Sequence, residues 1–421
     1  MLLSHKTSIK LNNTYSNIIG HMGYAAYKLW NVCNYERNNY KELSFPDDVT
    51  YPDWYYQKSA HKDDLWFKQL PSQTAQEVCK LLDKSWKSFY KLLKTHGIDN
   101  PNPPRYKHEP MVITYMQNAI VHVQGSDTAR LTLSKALKEY MASAYDIHED
   151  YLYLKNQLFK GMDHIKQIKI YPPTNNMCNV IVIYEIDDVE LLSDNGRHLS
   201  IDLGLHNLMT CFDSTDGSSF IVGRKYLTIC NYYAKEIARV QSQWYALQSN
   251  KGIKHPKGSK HINRLYQSRN NKVLDYLHKI TRYIVSYCHE HDIHTVVIGD
   301  IKGIRKDKDL KAKTNQKLHA LPYDKIYIIL EYKLALYGIR LVKQKEAYTS
   351  QCSPMSENVS KQYAMKSNRR HRGLYVDGDN TWNADTVGAY NILRLYLNSI
   401  GKRVSIEPLD IKTPYVVKVA A

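Results

Sequence analysis

The sequence lacks any long apolar segment. None of its 421 residues belongs to an apolar run of about 18 residues, the length that crosses a bilayer as a helix. The first residues, MLLSHKTSIKLNN, contain no apolar core of the length that a signal peptide needs. Both absences argue against a membrane-spanning or exported chain, so we expect a cytoplasmic protein.

Cysteine is also scarce. No two cysteines are separated by two residues, the spacing that zinc ribbons use, and their scatter gives no disulfide framework. An ordinary zinc ribbon is therefore excluded. The seven positions are Cys33, Cys79, Cys178, Cys211, Cys230, Cys288 and Cys352.

Acidic residues are few relative to basic ones. The chain has 58 Lys and Arg against 41 Asp and Glu, a formal net charge of +17. Such an excess indicates a polyanionic partner, either nucleic acid or an anionic membrane surface. The length allows two or three domains, each with its own core.

The first half of the chain combines helical and strand patterns. A strand is predicted within residues 3–10, and helices follow over residues 15–41 and 72–93, where apolar side chains recur at helical spacing. Further strands are predicted within residues 111–123 and 167–186. We interpret this order as a mostly β module into which a helical unit is inserted.

Three segments are expected to have no regular structure. Residues 47–62 are polar with interspersed proline, and residues 100–107, NPNPPRYK, break any helix. Residues 353–382 are irregular and basic.

The stretch from His198 to Phe212, HLSIDLGLHNLMTCF, has the alternation of a β-strand. It places Asp202 in mid-strand, where a carboxylate is unfavourable unless a partner such as a divalent metal ion compensates it. An Asp at a solvent-facing strand edge is the alternative. Asp216-Gly217 then signals a hairpin turn into a second apolar run.

The rest of the chain adds acids at the ends of later elements. Long helical segments lead to a buried strand, Thr295–Ile298, which ends in Gly299-Asp300. A helix that begins after Pro322 and a strand over residues 339–342 lead to Glu346. Asp385 lies in the first turn of the last helix.

This order of elements resembles the ribonuclease H-like layout of RuvC nucleases, in which three antiparallel strands are followed by two parallel strands reached through helices. In that layout, acids on the first strand, after the later strands and on the last helix meet at one edge. The four acids at those positions are Asp202, Asp300, Glu346 and Asp385.

At these residues the chain resembles the TnpB family of transposon-encoded RNA-guided nucleases and the related compact type V CRISPR effectors. Each matching segment is weak alone, but their order and spacing are specific. The segments are NPPRYK (102–107), SIDLGLHNL (200–208), VVIGDIKGIR (296–305), EAYTSQCS (346–353) and NADTVGAYNIL (383–393).

The resemblance implies an α/β multidomain chain: a RuvC-like nuclease domain, a β-barrel wedge domain and an inserted helical recognition domain. It also implies a guide RNA, a DNA target and a nucleoid-associated protein of a prokaryotic cell. The expected boundaries are wedge 1–12 and 106–192, recognition 13–105, nuclease 193–350 and 383–400, basic insertion 351–382 and tail 401–421.

Two departures from the family pattern matter. Many members have a Glu directly before an Asp after the fourth strand, where this chain has Gly299-Asp300, and Glu346 stands before the Tyr-Thr-Ser element instead. Members often have four zinc-binding cysteines before the last helix, of which only Cys352 remains. We therefore expect no zinc in the basic insertion.

The resemblance implies phosphodiester hydrolysis with two Mg²⁺ ions, which prefer carboxylate oxygens. Asp202 and Asp385 match catalytic acids of the family, Glu346 is predicted to be the third, and Asp300 is a possible additional acid. The residues predicted to bind nucleic acid are Arg305, Lys361, Lys366, Arg369, Arg370 and Arg372.

We therefore expect an RNA-guided DNA endonuclease without a membrane partner. Two alternatives stay open: a non-cleaving RNA-guided DNA-binding regulator, and a guide-independent nuclease or transposition accessory protein. RNA that co-purifies with the protein would exclude the last, and cleavage in Mg²⁺ would exclude the regulator.

Overall fold

The structure is a computed structural model that describes residues 1–95, 98–301, 321–371 and 373–420. The chain divides into two compact units, Met1–Asp188 and Val189–Ala421. Arg305 and Arg372, both predicted to bind nucleic acid, lie outside the described residues. In the described part of the chain, no helix is both long and apolar enough to cross a membrane.

The first unit contains two antiparallel sheets, and hydrogen bonds join their strands in the orders β1-β7-β6-β2 and β3-β4-β5. These strands lie in the segments predicted for the wedge domain; the domain boundaries themselves stay predictions. The strands are β1 (Leu2–Lys10), β2 (Ile113–Met116), β3 (Ile120–His122), β4 (Thr128–Thr132), β5 (Tyr151–Lys155), β6 (His164–Ile170) and β7 (Met177–Glu185).

Four helices lie between β1 and β2, and a fifth lies between β4 and β5. The side chains of Asn12, Asp53 and Ser134 accept hydrogen bonds from the first turns of α1, α2 and α5, as N-cap residues do. The helices are α1 (Asn13–Asn38), α2 (Trp54–Ala60), α3 (Leu65–Lys68), α4 (Ser72–Thr95) and α5 (Lys135–Tyr145).

Helix α2 corrects the expectation that residues 47–62 have no regular structure. Pro52-Asp53 is a helix-start signal, because Asp53 Oδ1 accepts a hydrogen bond from the Tyr56 backbone N–H (2.9 Å). The buried Gln57 then fixes the helix, since its Nε2 donates to the Cys33 carbonyl (2.8 Å).

The second unit is built on a six-stranded sheet in the order β12-β11-β8-β9-β10-β15. Strands β8 to β10 are antiparallel neighbours, and β11 and β12 run parallel to β8. This order confirms the ribonuclease H-like fold class. The strands are β8 (His198–Asp202), β9 (Met209–Asp213), β10 (Ser219–Val222), β11 (Thr295–Asp300), β12 (Arg340–Lys345) and, unpredicted, β15 (Tyr415–Val416).

Helices pack on both faces of this sheet. One face buries Leu199, Ile201 and Ile298 in the core formed with helices α7 and α8. Strand alternation sends Ser200 and Val297 to the other face, against α9. The helices are α6 (Lys225–Asn250), α7 (Lys260–Glu290), α8 (Tyr323–Ala335) and α9 (Ala384–Ser399).

The basic insertion contains a β-hairpin, which corrects the expectation that residues 353–382 are irregular. Strands β13 (Leu374–Asp377) and β14 (Asn380–Asn383) pair around Gly378, whose φ of 57° suits glycine. Tyr375 and Trp382 form a small core with the start of α9. The insertion therefore has an apolar anchor of its own.

Candidate active site

Asp202 is the last residue of β8 and lies on the sheet face that packs against α9. Its neighbour on that face, Ser200, donates a hydrogen bond to the Ala389 carbonyl of α9 (2.7 Å). A Cβ atom at Gly388 would lie only 2.8 Å from Asp202 Oδ2. The absent side chain at Gly388 therefore lets the carboxylate approach the helix that bears Asp385.

Glu346 follows the end of β12 and reaches over the neighbouring strand. Gly299 of β11 pairs with Gln344, so Glu346 lies just beyond the strand ends. A Cβ atom at Gly299 would lie 2.1 Å from Glu346 Oε2, far closer than atoms can approach. The Glu346 carboxylate thus fills the space of a side chain at position 299.

Asp385 lies in the first turn of α9. The N-cap Asn383 accepts hydrogen bonds from the Asp385 and Thr386 backbone N–H groups, which fixes the helix start. Asn207 Nδ2 donates to Asp385 Oδ2 (2.8 Å), and an Arg369 guanidinium nitrogen donates to Oδ1 (2.9 Å). Two side chains therefore orient this carboxylate.

Asp300 lies on the opposite side of β11 from Gly299. Residues 296, 298 and 300 of the strand alternate with residues 297 and 299. Val297 packs against α9, whereas Val296 and Ile298 belong to the core on the other face. Asp300 therefore shares a face with that core and not with the face that Asp202 and Glu346 occupy.

The structure brings three of the four predicted acids into one cleft. Asp202, Glu346 and Asp385 line a cavity of ≈ 890 Å³, together with Asn207 and Arg369. Among the described residues, Asp300 is not part of that lining.

Like charges meet in this cleft. Burial and the neighbouring Asp385 carboxylate raise the pKa of Asp202 to about 7, against an opposing effect of Arg369. The charged form of the Asp202 carboxylate is therefore unfavourable in this cleft unless a cation binds beside it.

The family comparison agrees with this geometry. Residues 181–305 match the OrfB_IS605 family model, described as a probable transposase. Residues 323–392 match the Cas12f1-like TNB domain model. These two matches support the interpretation of the chain as TnpB-like. The predicted resemblance is confirmed.

Solved structures of compact Cas12 effectors also align over most of the chain. A Cas12f1–sgRNA–target DNA complex is 12% identical, with 93% of this chain and 98% of that chain covered and a TM-score of 0.36. CasPhi-2 (Cas12j) bound to crRNA and phosphorothioate-DNA is 10% identical, with 98% and 92% covered and a TM-score of 0.47. No curated protein matches the chain.

Side chains of α9 hold the loop that follows Glu346. The fully buried Asn391 of α9 donates hydrogen bonds to the Thr349 and Cys352 carbonyls (both 2.8 Å). Arg394, one turn later, donates to the Ser353 carbonyl (3.2 Å). The sequence analysis did not identify either residue. An Asn and an Arg three residues apart in an otherwise apolar helix could have indicated them, because buried polar side chains need hydrogen-bond partners.

The residues predicted to bind nucleic acid differ in their surroundings. Lys361, Lys366 and Arg370 are exposed on the basic insertion. Arg369 is also exposed, but its guanidinium pairs with Asp385 inside the cleft. The structure therefore links the insertion to the acid cluster through Arg369.

The cleft offers carboxylate oxygens, the ligand type that a hard divalent cation prefers, but the described side chains do not converge on one point. Three carboxylates line the cleft, and Gly299 and Gly388 leave the space in which Glu346 and Asp202 sit. As the described side chains stand, no three His, Cys, Asp or Glu residues form a group that could hold a metal ion. The Arg369 guanidinium forms a salt bridge with the Asp385 carboxylate.

Proposed function

We propose that the protein is an RNA-guided DNA endonuclease that hydrolyses phosphodiester bonds. Its catalytic acids would be Asp202, Glu346 and Asp385. The observation that supports this most is the arrival of three carboxylates, from β8, the end of β12 and α9, in one cleft. The two family matches support the class of reaction.

The three acids would hold Mg²⁺, because carboxylate oxygens are its preferred protein ligands. When bound, two such ions activate a water molecule and neutralise charge on the attacking and leaving oxygens. The raised pKa of Asp202 supports this assignment, since a cation would favour the charged carboxylate that burial and Asp385 disfavour.

Neighbouring side chains would keep the acids in position. Arg224 Nε donates to Asn207 Oδ1 (2.9 Å), and Asn207 in turn donates to Asp385. Through Asn391, α9 holds the loop that follows Glu346. Arg369 adds a positive charge to the cleft, where the DNA phosphate would bind.

The proposed partners are a guide RNA and a target DNA. The net charge of +17 supports a polyanionic partner. The basic insertion has exposed cations at Lys361, Lys366 and Arg370, and its Arg369 lines the cleft. The matched Cas12f1 structure is a complex with sgRNA and target DNA.

The test compares Asp202→Asn, Glu346→Gln and Asp385→Asn with the matched control Asp300→Asn. Each variant is purified with its RNA, whose sequence defines the DNA target. Cleavage in Mg²⁺ should fall by orders of magnitude in the first three variants, because losing a metal ligand removes several kcal/mol of transition-state stabilisation. Asp300→Asn should lose no more than about 10–100-fold, the usual cost of an outer partner.

RNA retention and target binding are measured for every variant and should not change. If Glu346→Gln cuts at a near-normal rate while Asp300→Asn is inactive with binding intact, Asp300 is the third acid. A wild-type complex that binds its target but never cuts in Mg²⁺ would instead support the non-cleaving regulator.

A further inference from the structure

The first unit contains an open pocket of ≈ 510 Å³ that the proposed nuclease chemistry does not use. Its volume falls within the range of about 300–1,000 Å³ of small-molecule sites. One face of α1, helix α3 and the end of α5 form its walls.

Five of the eleven lining residues have aromatic rings. His21 stacks on Tyr140 with ring centroids 4.3 Å apart, and Tyr24 meets Trp66 edge-on at 5.5 Å. Tyr145, at the end of α5, is half exposed at the mouth. These rings line the pocket and are partly exposed, so a flat ligand in the pocket would contact aromatic side chains.

Gly20 forms part of the floor of the pocket. It lies in the interior of the 26-residue helix α1, where glycine is about 1 kcal/mol less favourable than alanine. A Cβ atom at Gly20 would meet no atom within 4 Å, so helix packing does not require a glycine there. The glycine instead leaves space open inside the pocket.

The polar groups of the pocket suit an uncharged, hydrogen-bonding ring. Asn17 and Ser16 line the pocket beside the aromatic walls, and Gln69 Oε1 lies 3.1 Å from His21 Nε2. Among the described residues of the lining, none is acidic. Lys28, one turn beyond Tyr24, lies outside the lining and holds its ammonium 5.3 Å from the Tyr24 ring centroid.

We propose that this pocket binds one unpaired nucleobase of the RNA that the protein carries. The inference rests on the proposed function, which supplies the RNA. Proteins recognise unstacked RNA bases by stacking them on aromatic side chains and by bonding their polar edges. The aromatic walls, the amide of Asn17 and the acid-free lining match these requirements.

A base fits better than an apolar peptide or a second copy of the chain. The described lining contains no acid that would repel a nucleotide phosphate. The pocket's lining of 11 residues is smaller than the roughly 20–30 residues a side of a stable protein interface.

The test fills the pocket without removing any of its groups. Gly20→Leu places a side chain in the open space, whereas Gly20→Ala is the matched control that keeps the pocket open. RNA that co-purifies with the wild type is stripped, re-added and titrated at several salt concentrations. Gly20→Leu should weaken binding about 10- to 100-fold, the range for one stacked base, and Gly20→Ala should match the wild type.

The salt dependence separates this site from phosphate contacts. The slope of log affinity against log salt should be unchanged in Gly20→Leu, because no phosphate contact is lost. RNA containing 4-thiouridine should crosslink to the peptide that includes Tyr140 and Tyr145 in the wild type but not in Gly20→Leu. Melting temperatures verify that both variants fold.

Equal RNA affinity and crosslinking in Gly20→Leu and the wild type would overturn the inference and leave the proposed function intact. A wild-type protein that retains no RNA would instead overturn both. A concentration-dependent dimer that Gly20→Leu dissociates would show that a second copy fills the pocket.

Discussion

Buried charge is arranged in opposite ways in the two units. In the first unit, a group that we term the Arg37 cluster (Glu36, Arg37, Gln57, His61 and Asp83) sets each charge beside an opposite one. In the second unit, the cleft sets carboxylates beside carboxylates.

The Arg37 cluster is closely paired. Arg37 is 1% exposed, and one guanidinium nitrogen lies 3.0 Å from Asp83 Oδ1 while Nε donates to Gln57 Oε1 (2.9 Å). His61 Nε2 lies 3.1 Å from Glu36 Oε1. Such pairing offsets the cost of removing the charges from water.

The cleft has the reverse arrangement, since the Asp385 carboxylate raises the cost of charge on Asp202, and Arg369 opposes that effect. The structural charges are therefore neutralised inside the protein, whereas under the proposed function the cleft acids would be neutralised by a bound cation.

Gly299→Ala should abolish DNA cleavage by displacing the Glu346 carboxylate. The new Cβ atom would overlap Glu346 Oε2, so the carboxylate must leave its place. We expect cleavage to fall by orders of magnitude, as in Glu346→Gln. In a Glu346→Gln background the same change should have little further effect, because both act on one group. If the two substitutions together reduce the cleavage rate by the product of their separate effects, Gly299→Ala does not act through Glu346.

Asp83→Asn should destabilise the first unit and spare the chemistry. It leaves Arg37 buried beside a neutral amide, which costs about 3–5 kcal/mol, or roughly 6–20 °C in melting temperature. Asp63→Asn, which breaks an exposed pair with Lys68, is the control and should change stability by less than about 1 kcal/mol. Cleavage per RNA-loaded molecule should be normal in both. A lower cleavage rate per RNA-loaded molecule for Asp83→Asn alone would show that the Arg37 cluster is not purely structural.

Gly388→Ala should impair cleavage without destabilising the fold. A Cβ atom 2.8 Å from Asp202 Oδ2 turns the carboxylate away, and we expect a loss of about 10–100-fold, as for other misplaced metal-site groups. Gly20→Ala is the same change in another helix, but in open space, and should cleave normally. Single-turnover rates and melting curves check both. Unimpaired cleavage by Gly388→Ala would show that Asp202 has room to adjust.

His61 should make stability depend on pH. Burial alone would lower the pKa of His61, but the carboxylates of Glu36 and Asp64 raise it to about 9. The unfolded value is about 6.5, so this contribution is complete below pH 6.5 and is lost as pH rises through about 9. We expect a loss of about 1–3 kcal/mol over that window.

His61→Gln should flatten this decline in melting temperature between pH 6 and 9. His148→Gln, which removes an exposed histidine paired with Asp146, is the control and should leave the decline unchanged. Identical pH profiles for the wild type and His61→Gln would show that His61 is not held in its charged form.

Local pattern was sufficient for much of the fold. Alternation predicted β8, a buried apolar run predicted β11, helical spacing predicted α1 and α4, and the order of the elements predicted the ribonuclease H-like sheet. Short elements were missed where the signal was one turn motif, such as Pro52-Asp53 before α2. The two-residue strand β15 is held by parallel pairing with β10, which no local pattern encodes.

For the candidate site, the sequence alone determined which carboxylates end β8, β11 and β12 and which one begins α9, because strand alternation and a helix's first turn are local properties. Only the tertiary structure decided which of them meet. Asp300 and Gly299 lie on opposite faces of one strand, and the packing of α9 decides which face is the site. The pairing of Arg369 with Asp385 and the space beside Gly299 and Gly388 depend on contacts between elements distant in sequence, which spacing along the chain does not reveal.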